Sequence, residues 1–437
     1  MTQTSRTAAT PAARPDTIAL AVLLISGLLA VPLLFATRLP QPLLALIAIA
    51  LALVFGVRAF LTRTWLPTTP ANWPNLLFLL LLPLGLWISA DKAVSWPVVY
   101  KVLASMAVFY GIAGLAGTRW LHWLPWAFLV AAALLVLAVL LGTNWATAKL
   151  PWIPEAFYAA LPSLSLSWPS DGIHPNLAGN STALMLFPAL TLALWAQPRA
   201  LRRVAGIIAA VLAVALVLSQ SRGAWLGAAV ALLVLPGLRQ RRWLLIPLMV
   251  GGLGLLAAVV VGPQHLQGWL FPASSLADAA ATNTLPGRLE LWTRAIAMLR
   301  DFGLTGIGPG QFEPVLMVLY PPFFTSVMGG FQHAHNQYLQ MALDFGVLGL
   351  VAWLALCLTI GTALLAALRA QVKPADQTLG ALAAGIFASL IVLTVHSLVE
   401  APLVAPPGHV LVFALLGMGA ALATHQLRPP SAATPTP

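Results

Sequence analysis

Runs of about 20 apolar residues recur along almost the whole chain, separated by short polar segments. Because a helix rises about 1.5 Å per residue and the hydrocarbon core is about 30 Å thick, each run is long enough to cross a membrane. Backbone polar groups must be paired within lipid, so such runs predict helices. Twelve candidate spans result, at about Asp16–Ala36, Gln41–Phe60, Trp73–Ala90, Val94–Ala116, Leu121–Leu141, Ile173–Ala196, Leu201–Gln220, Arg222–Leu238, Trp243–Val261, Tyr338–Leu368, Thr378–Leu398 and Pro407–Thr424.

The pattern therefore predicts an all-α integral membrane protein with about 12 transmembrane helices. Composition agrees, because 60% of the 437 residues are hydrophobic and only 8% are charged, whereas about a quarter are charged in soluble domains. Two longer polar intervals interrupt the spans. We predict a disordered cytoplasmic tail at 1–15, helices 1–9 over 16–261 with an outer loop near 142–172, a large outer loop at 262–337, helices 10–12 over 338–424, and a disordered cytoplasmic tail at 425–437.

The basic residues indicate the orientation. The formal net charge is +11, but these residues are not clustered in a soluble domain, so nucleic-acid binding is not expected. With both termini in the cytoplasm, fourteen of the 22 Lys and Arg residues fall on the inner side, in agreement with the positive-inside rule. Nearly all carboxylates then face outward. We expect a multi-pass inner-membrane protein whose chemistry lies on the outer, periplasmic side.

The large outer loop contains an amphipathic segment. From Arg288 to Asp301, a helix would place Leu291, Ala295, Met298 and Leu299 on one stripe, which predicts a helix lying along the membrane surface. The run Gly306-Ile-Gly-Pro-Gly310 follows it, and its glycines permit tight turns and close backbone approach.

Two arginines in outer segments are candidate anion ligands. Arg222 lies in Ser219-Gln-Ser-Arg-Gly-Ala-Trp225, where two apolar helices are joined by almost no loop. It either snorkels to lipid phosphates or, with Ser219, Ser221 and the helix N-terminus, forms an anion site. Arg288 follows Pro286-Gly287 near a helix start, so it either solvates a surface helix or binds phosphate.

Other polar residues have weaker signals. Lys101 lies within the fourth span, where a charge is costly, and is a credible ligand for a lipid phosphate. Arg294 is expected mainly to solvate the surface helix. At the start of the sixth span, Asn176, like Asp171 and His174, is expected to be structural, with lining of a site as the alternative. Glu400 ends the eleventh span, where it either orients a histidine or faces water, and we favour water.

The segment Gln332-His-Ala-His-Asn-Gln-Tyr338 enters the tenth span from the outer side. On a helix the side chains of His333 and His335 would point about 200° apart, so at most one would face a given site. No HExxH motif or cysteine cluster accompanies them, and no metal site is predicted. A neutral imidazole here suits a general base, while a structural histidine at a helix start is the alternative.

The order of these motifs resembles the O-antigen ligase and polymerase superfamily. The motifs are Ser219-Gln-Ser-Arg-Gly-Ala, Gly287-Arg-Leu-Glu-Leu-Trp, Gly306-Ile-Gly-Pro-Gly-Gln-Phe and His333-Ala-His-Asn-Gln-Tyr-Leu. The resemblance implies a membrane glycosyltransferase of GT-C-like fold. It would transfer a glycan from an undecaprenyl-pyrophosphate carrier without a metal, a nucleotide sugar or another cofactor. One departure is His174-Pro-Asn, where related proteins often have Asn-Pro-Asn.

By this resemblance Arg222 and Arg288 would bind the pyrophosphate, and His335, which precedes Asn336, would be the general base. We further expect substrate contacts from Lys101, Ser219, Ser221, Asn336, Arg294, His333 and Asn176. The activity expected is that of an inverting O-antigen ligase with lipid A-core as acceptor, working among membrane lipids. The alternatives are an O-antigen polymerase, a protein O-oligosaccharyltransferase and, from another class, a transporter of the same lipid-linked glycan.

Overall fold

The computed structural model describes residues 15–143, 145, 156, 158, 172–238, 240–246, 249–251, 285–323, 331–370 and 377–427. These residues form helices and contain no β-strand, so the all-α prediction is confirmed. The α-helices are α1 (Pro15–Leu34), α2 (Gln41–Thr62), α3 (Asn72–Ile88), α4 (Lys92–Ala113), α5 (Leu124–Gly142), α6 (Pro175–Trp195), α7 (Arg199–Leu218), α8 (Arg222–Val234), α9 (Leu285–Phe302), α10 (Phe312–Leu319), α11 (Gln337–Arg369), α12 (Gln377–His396) and α13 (Pro406–Leu427).

The chain is a multi-pass membrane protein. Within the described residues, nine helical segments are long and apolar enough to cross a membrane: α1, α2, α4, α5 with the 3₁₀ turn before it, α6, α7, α11, α12 and α13. Two shorter apolar helices, α3 and α8 with its following 3₁₀ turn, coincide with two further predicted spans. The predicted span Trp243–Val261 lies largely outside the described residues.

Helices α4, α6, α12 and α13 are the most buried, whereas α2 lies at the periphery with most of its apolar side chains exposed, as expected of a surface that contacts lipid. Helices α6 and α12 pack at very close range. A Cβ on Gly385 would collide with the backbone of Pro188, and the hydroxyl of Ser389 donates to the Leu184 carbonyl at 2.6 Å. Small residues and interhelical hydrogen bonds of this kind drive association between helices in lipid. These contacts hold the middle parts of α6 and α12 together.

Helix α9 is amphipathic, as predicted, but its apolar stripe contacts protein. Leu291, Ala295 and Met298 are fully or almost fully buried against a small cluster that includes Phe312 and Leu343. The apolar stripe therefore packs against protein and does not face lipid, while the position of α9 along the membrane surface stays a prediction. The stripe instead fixes α9 against α11.

Helix α11 is kinked at Gly346, which has φ +70° and ψ −174°. At the kink the loop that follows α9 supplies hydrogen-bond partners to α11. The Ile307 N–H donates to the Leu343 carbonyl at 2.7 Å, and the Val347 N–H donates to the Gly303 carbonyl at 2.8 Å. A Cβ on Gly346 would collide with the carbonyl of the preceding loop, so glycine is needed both for its dihedral angles and for space.

The loop Gly306-Ile-Gly-Pro-Gly310 also contacts the turn between α3 and α4. All three glycines have positive φ, as predicted for tight turns. The Ser95 hydroxyl donates to the Pro309 carbonyl at 2.7 Å, and the Gln311 side-chain amide donates to the Asp91 carbonyl at 2.7 Å. Helix α9 is thereby anchored to the bundle at its C-terminal end.

Candidate active site

Five chain segments meet at one end of the bundle around the carboxylate of Glu400. They are the starts of α6, α8 and α9, the segment before α11, and the turn between α12 and α13. Glu400 lies in that turn and is only 8% exposed. Its Oε2 accepts from Asn176 Nδ2 at 2.9 Å, and its Oε1 accepts from the Ala401 backbone N–H at 3.1 Å. The expectation that Glu400 faces water is therefore wrong.

Both histidines of the His-Ala-His motif face Glu400. Nδ1 of His335 is 3.0 Å from Oε1 of Glu400, and Nδ1 of His333 is 3.8 Å from the same atom. The two rings are 4.1 Å apart between centroids. The prediction that only one of them faces the site is wrong, because it assumed a helix, whereas α11 begins only at Gln337. His335 has φ +46°, which turns the chain so that both rings lie on one side.

Asn336 fixes the start of α11. Its side-chain oxygen accepts from the backbone N–H groups of Tyr338 and Leu339 at 3.0 Å each, which makes it the N-cap. Its Nδ2 donates to the Leu398 carbonyl at 2.9 Å. Through these three hydrogen bonds Asn336 holds the histidine segment in place. This role differs from the substrate contact predicted for Asn336.

Arg288 lies in the first turn of α9, as predicted. Its Nη1 donates to the Val399 carbonyl, and its Nη2 is 3.5 Å from Oε2 of Glu400. Only 14% of the side chain is exposed. Burial lowers the pKa of Arg288 below its ordinary value, and the charge of Glu400 opposes that shift. A guanidinium remains protonated under such conditions, so the site contains a buried cation.

Arg222 approaches the same turn from α8. Gln220 has φ +49°, which lets α7 and α8 reverse direction with almost no loop, as predicted. A Cβ on Gly223 would lie 2.7 Å from Val399 Cγ2, so the start of α8 packs against the residue that holds Arg288. The guanidinium groups of Arg222 and Arg288 are close enough to repel each other.

The serines of this turn contribute to helix packing. Ser219 and Ser221 are buried, and both lie against Gly179 of α6. The Ser219 hydroxyl donates to the Leu216 carbonyl at 2.7 Å. Their described contacts therefore support the turn that carries Arg222.

A cavity of about 470 Å³ adjoins Glu400 and the two histidines. His174, one of its lining residues, caps α6 by accepting from the Asn176 N–H at 3.2 Å. The polar wall comprises His174, Asn176, Asn180, Gln332, His333, His335 and Glu400, and the apolar wall comprises Leu177, Ala401, Pro402, Val404, Ala405 and Pro406. A pocket with one apolar wall and a few convergent polar groups is typical of a ligand site.

The electrostatics keep Glu400 ionised and His333 neutral. Burial raises the pKa of Glu400, but the hydrogen bond from His335 and the electrostatic interactions with the two histidines and Arg288 outweigh it and hold the pKa well below 4.5. Burial, reinforced by the neighbouring histidines and Arg288 and opposed by Glu400, lowers the pKa of His333 to about 4. The site therefore presents a carboxylate beside neutral imidazole at neutral pH.

His333, His335 and Glu400 also form the type of group that can bind a metal ion, since one ligand atom of each lies within 4.8 Å of the others. Two contacts oppose this use. Nδ1 of His333 accepts from the His335 backbone N–H at 3.1 Å, and Arg288 places a positive charge 3.5 Å from the carboxylate. A divalent cation bound to Nδ1 of His333 would break this hydrogen bond, and the positive charge of Arg288 would repel the cation. The arrangement favours a carboxylate–imidazole pair.

Residues 207–354, about a third of the chain, match the family model described as Wzy_C, O-antigen ligase. This segment is similar to the O-antigen ligase family. The match confirms the resemblance to the ligase and polymerase superfamily and indicates a glycan transfer that uses lipid-linked substrates. No curated protein matches the chain.

The matched segment contains Arg222, Arg288 and His335, whereas Asn176 and Glu400 lie outside it. The site is therefore completed by α6 and by the turn between α12 and α13. The sequence did carry a signal for Glu400, because the whole chain has only eleven Asp and Glu residues and this one directly follows an apolar span. That rarity favours the alternative given for Glu400 in the sequence analysis, that it orients a histidine. Asp171 lies outside the described residues.

Two of the predicted substrate ligands make other contacts. Lys101 Nζ donates to the Val404 carbonyl at 2.6 Å and interacts electrostatically with Asp344, in a small cavity of about 50 Å³ that shares Val404 with the large one. Arg294 pairs with Glu290, with Nη2 2.9 Å from Oε1, and stacks over the Phe323 ring. Among the described residues, neither contacts Glu400.

Proposed function

We propose that the protein is an O-antigen ligase that transfers a glycan from undecaprenyl pyrophosphate to a sugar hydroxyl of lipid A-core. The observation that carries this proposal is the His335–Glu400 pair at the wall of the 470 Å³ cavity. With Nδ1 of His335 directed at an ionised carboxylate, the proton of the neutral ring resides on Nδ1. Nε2 is then the basic nitrogen, and His335 is a lining residue of the cavity.

In the proposed reaction, the acceptor hydroxyl enters the cavity and gives its proton to Nε2 of His335 as its oxygen attacks the anomeric carbon. A new bond forms between that carbon and the acceptor oxygen. The bond from the anomeric carbon to the pyrophosphate oxygen breaks, and its electron pair leaves with undecaprenyl pyrophosphate. Attack opposite the leaving group inverts the configuration at this carbon.

Arg288 and Arg222 are proposed to bind the departing pyrophosphate. Their mutual repulsion makes the space between them attractive to an anion, and guanidinium groups bind phosphate oxygens in a fixed geometry. Charge that develops on the leaving group is stabilised without a divalent cation. Donor and acceptor would thus lie on different sides of the Glu400 carboxylate, with the arginines on one side and the cavity on the other.

We place the site on the periplasmic face of the inner membrane. The positive-inside distribution of Lys and Arg supports both termini in the cytoplasm. In that topology the starts of α6, α8 and α11 and the end of α12 all face outward, and these are the segments that meet at Glu400.

The test is transfer by purified protein in detergent with EDTA present. The donor is an undecaprenyl-pyrophosphate-linked glycan, and lipid A-core is added to one reaction and omitted from another. Glycan on lipid A-core, with inverted configuration at the new linkage, supports the ligase. Longer glycans on the carrier instead indicate a polymerase, retained configuration excludes the single displacement, and no transfer to any acceptor contradicts the proposal.

A further inference from the structure

Glu400 connects three side chains that come from three separate parts of the chain. Its two oxygens contact Asn176 at the start of α6, Arg288 in α9 and His335 before α11, at 2.9, 3.5 and 3.0 Å. The side chain is nearly excluded from solvent, and Ala401 adds a backbone donor to Oε1. One carboxylate therefore sets the positions of groups that the sequence keeps far apart.

The first consequence concerns the tautomer of His335. An ionised carboxylate accepts only, so the contact of 3.0 Å requires a proton on Nδ1 and leaves Nε2 as an acceptor. Carboxylates paired with histidine in this way also fix the orientation of the ring. Within the described residues, the other imidazole next to His335 is that of His333, and its Nδ1 already accepts from the His335 backbone.

The second consequence concerns Arg288. Its guanidinium bridges the Val399 carbonyl and Oε2 of Glu400, so it is held beside the same carboxylate that orients His335. Among the described residues, the titratable and charged groups that interact electrostatically with Glu400 are His335, His333, Arg288 and, from α12, His396. The opposite charges of Glu400 and Arg288 compensate each other, which reduces the cost of burying each.

We propose that Glu400 is a positioning residue, which holds His335 as the Nδ1–H tautomer and fixes its distance from Arg288. This inference rests on the proposed function, because it assigns Glu400 to the base and the phosphate ligand of that reaction. Glu400 acts through these two groups and does not itself contact the reacting atoms.

Glu400→Gln is the informative variant because an amide has one acceptor and one donor group. If the amide oxygen faces His335, the NH₂ group meets the donors of Asn176 and Arg288. If it is flipped, the NH₂ group donates to Nδ1, and the proton of His335 moves to Nε2. Both orientations disrupt the arrangement, and in a catalytic triad the corresponding acid-to-amide change lowers kcat about 10⁴-fold.

The experiment measures kcat, KM for the donor and the pH dependence of kcat in wild type, Glu400→Gln, Glu400→Asp and the control Glu313→Gln. We expect Glu400→Gln to lower kcat at least about 100-fold and to move the acidic limb of the kcat profile to lower pH, because the imidazole loses its carboxylate. KM for the donor should rise as Arg288 is released. Glu400→Asp should recover part of kcat, and Glu313→Gln should match wild type.

A wild-type kcat or an unmoved acidic limb in folded Glu400→Gln overturns the proposal. If Glu400→Gln does not fold, Glu400→Asp tests the positioning role instead. Its shorter carboxylate cannot reach both His335 and Arg288, so a wild-type kcat in this variant would contradict the inference. Wild type and His335→Asn are measured in parallel. If wild type transfers no glycan, the proposed function fails. If wild type is active, His335→Asn is inactive and Glu400→Gln is unaffected, only the positioning role fails.

Discussion

His335 and Glu400 are 65 residues apart in the chain, yet Nδ1 of the histidine is 3.0 Å from Oε1 of the glutamate. The contact joins the segment before α11 to the turn after α12. Asn336 reinforces it from the next position, because its amide donates to the Leu398 carbonyl of that turn. The pair is therefore held by backbone and side-chain contacts together, as expected of a group whose orientation determines a reaction.

The variant His335→Asn should abolish glycan transfer while the protein stays folded. Asparagine tolerates a left-handed backbone such as the φ of +46° at this position, and it is polar enough to remain beside Glu400, but it cannot accept a proton. We expect kcat to fall about 10²- to 10⁴-fold, the usual contribution of a general base. Transfer assays and a thermal unfolding curve measure the two effects. A folded variant with wild-type kcat would exclude His335 as the base.

Arg288→Lys should weaken donor binding even though it preserves the charge. A lysine ammonium is a single point and cannot span the Val399 carbonyl and Glu400 while keeping donors for a phosphate, as a planar guanidinium can. We expect KM for the undecaprenyl-pyrophosphate donor to rise about tenfold or more. The matched control is Arg300→Ala, an exposed arginine of the same helix, which should leave KM unchanged. Equal KM values for Arg288→Lys and wild type would argue against a phosphate contact.

The kink of α11 should depend on glycine at position 346. Gly346→Ala adds a Cβ that collides with the Leu304 carbonyl, at a φ of +70° and ψ of −174° that side chains disfavour. We expect a loss of at least about 2 kcal/mol in stability. Gly361→Ala, in the same helix, meets only Leu390 Cδ1 at 3.9 Å and should be neutral or slightly stabilising. Thermal unfolding in detergent compares the two variants, and equal midpoints would contradict this role of the kink.

The spans could be predicted from the sequence because each is an apolar run with few charges, and eleven of the twelve coincide with described helices. The helical stripe of α9 was also predictable from its spacing. The partner of this stripe could not be predicted, because an amphipathic stripe can pack against either lipid or protein. Tertiary contacts with Phe312 and Leu343 decided the outcome.

The candidate site was predictable only in part, for a related reason. Arg222, Arg288 and His335 are carried by motifs, and the structure brings all three to one end of the bundle. The joint use of His333 and His335 depends on one positive φ at His335, and local spacing does not reveal it. Glu400 and Asn176 reach the site through long-range packing of α6 and α12, so no local sequence pattern predicts the contact between them.

Lys101 and Asp344 should be energetically coupled. Both are buried within spanning helices and interact electrostatically, so removing one leaves the other charge without compensation. We expect Lys101→Met and Asp344→Asn each to destabilise the protein by about 3 kcal/mol or more, and the double variant to be more stable than the sum of the two losses. The unfolding midpoints of wild type, the two single variants and the double variant give the double-mutant cycle. Strict additivity would mean that the two residues act independently.

His333 should make the fold sensitive to mild acid. Its pKa is about 6.5 when exposed and about 4 in the folded protein, chiefly because of burial. Between these values the unfolded chain binds a proton that the folded protein does not, so stability is fully present above about pH 6.5 and falls as the pH decreases towards about 4, by at most about 1.4 kcal/mol per pH unit.

His333→Gln should remove this dependence, so the unfolding midpoints of wild type and variant should converge as the pH is lowered through that window. Glu400 also loses stabilising interactions in acid, but its pKa lies well below 4.5. The other titrating groups are common to both proteins, so above about pH 4.5 the difference between wild type and His333→Gln reports on His333. Unfolding curves of the two proteins at a series of pH values make the comparison, with the exposed His122→Gln as a control for a solvated imidazole. Parallel midpoints for wild type and His333→Gln across the window would show that His333 titrates normally in the folded protein, which its burial among His335, Arg288 and His174 argues against.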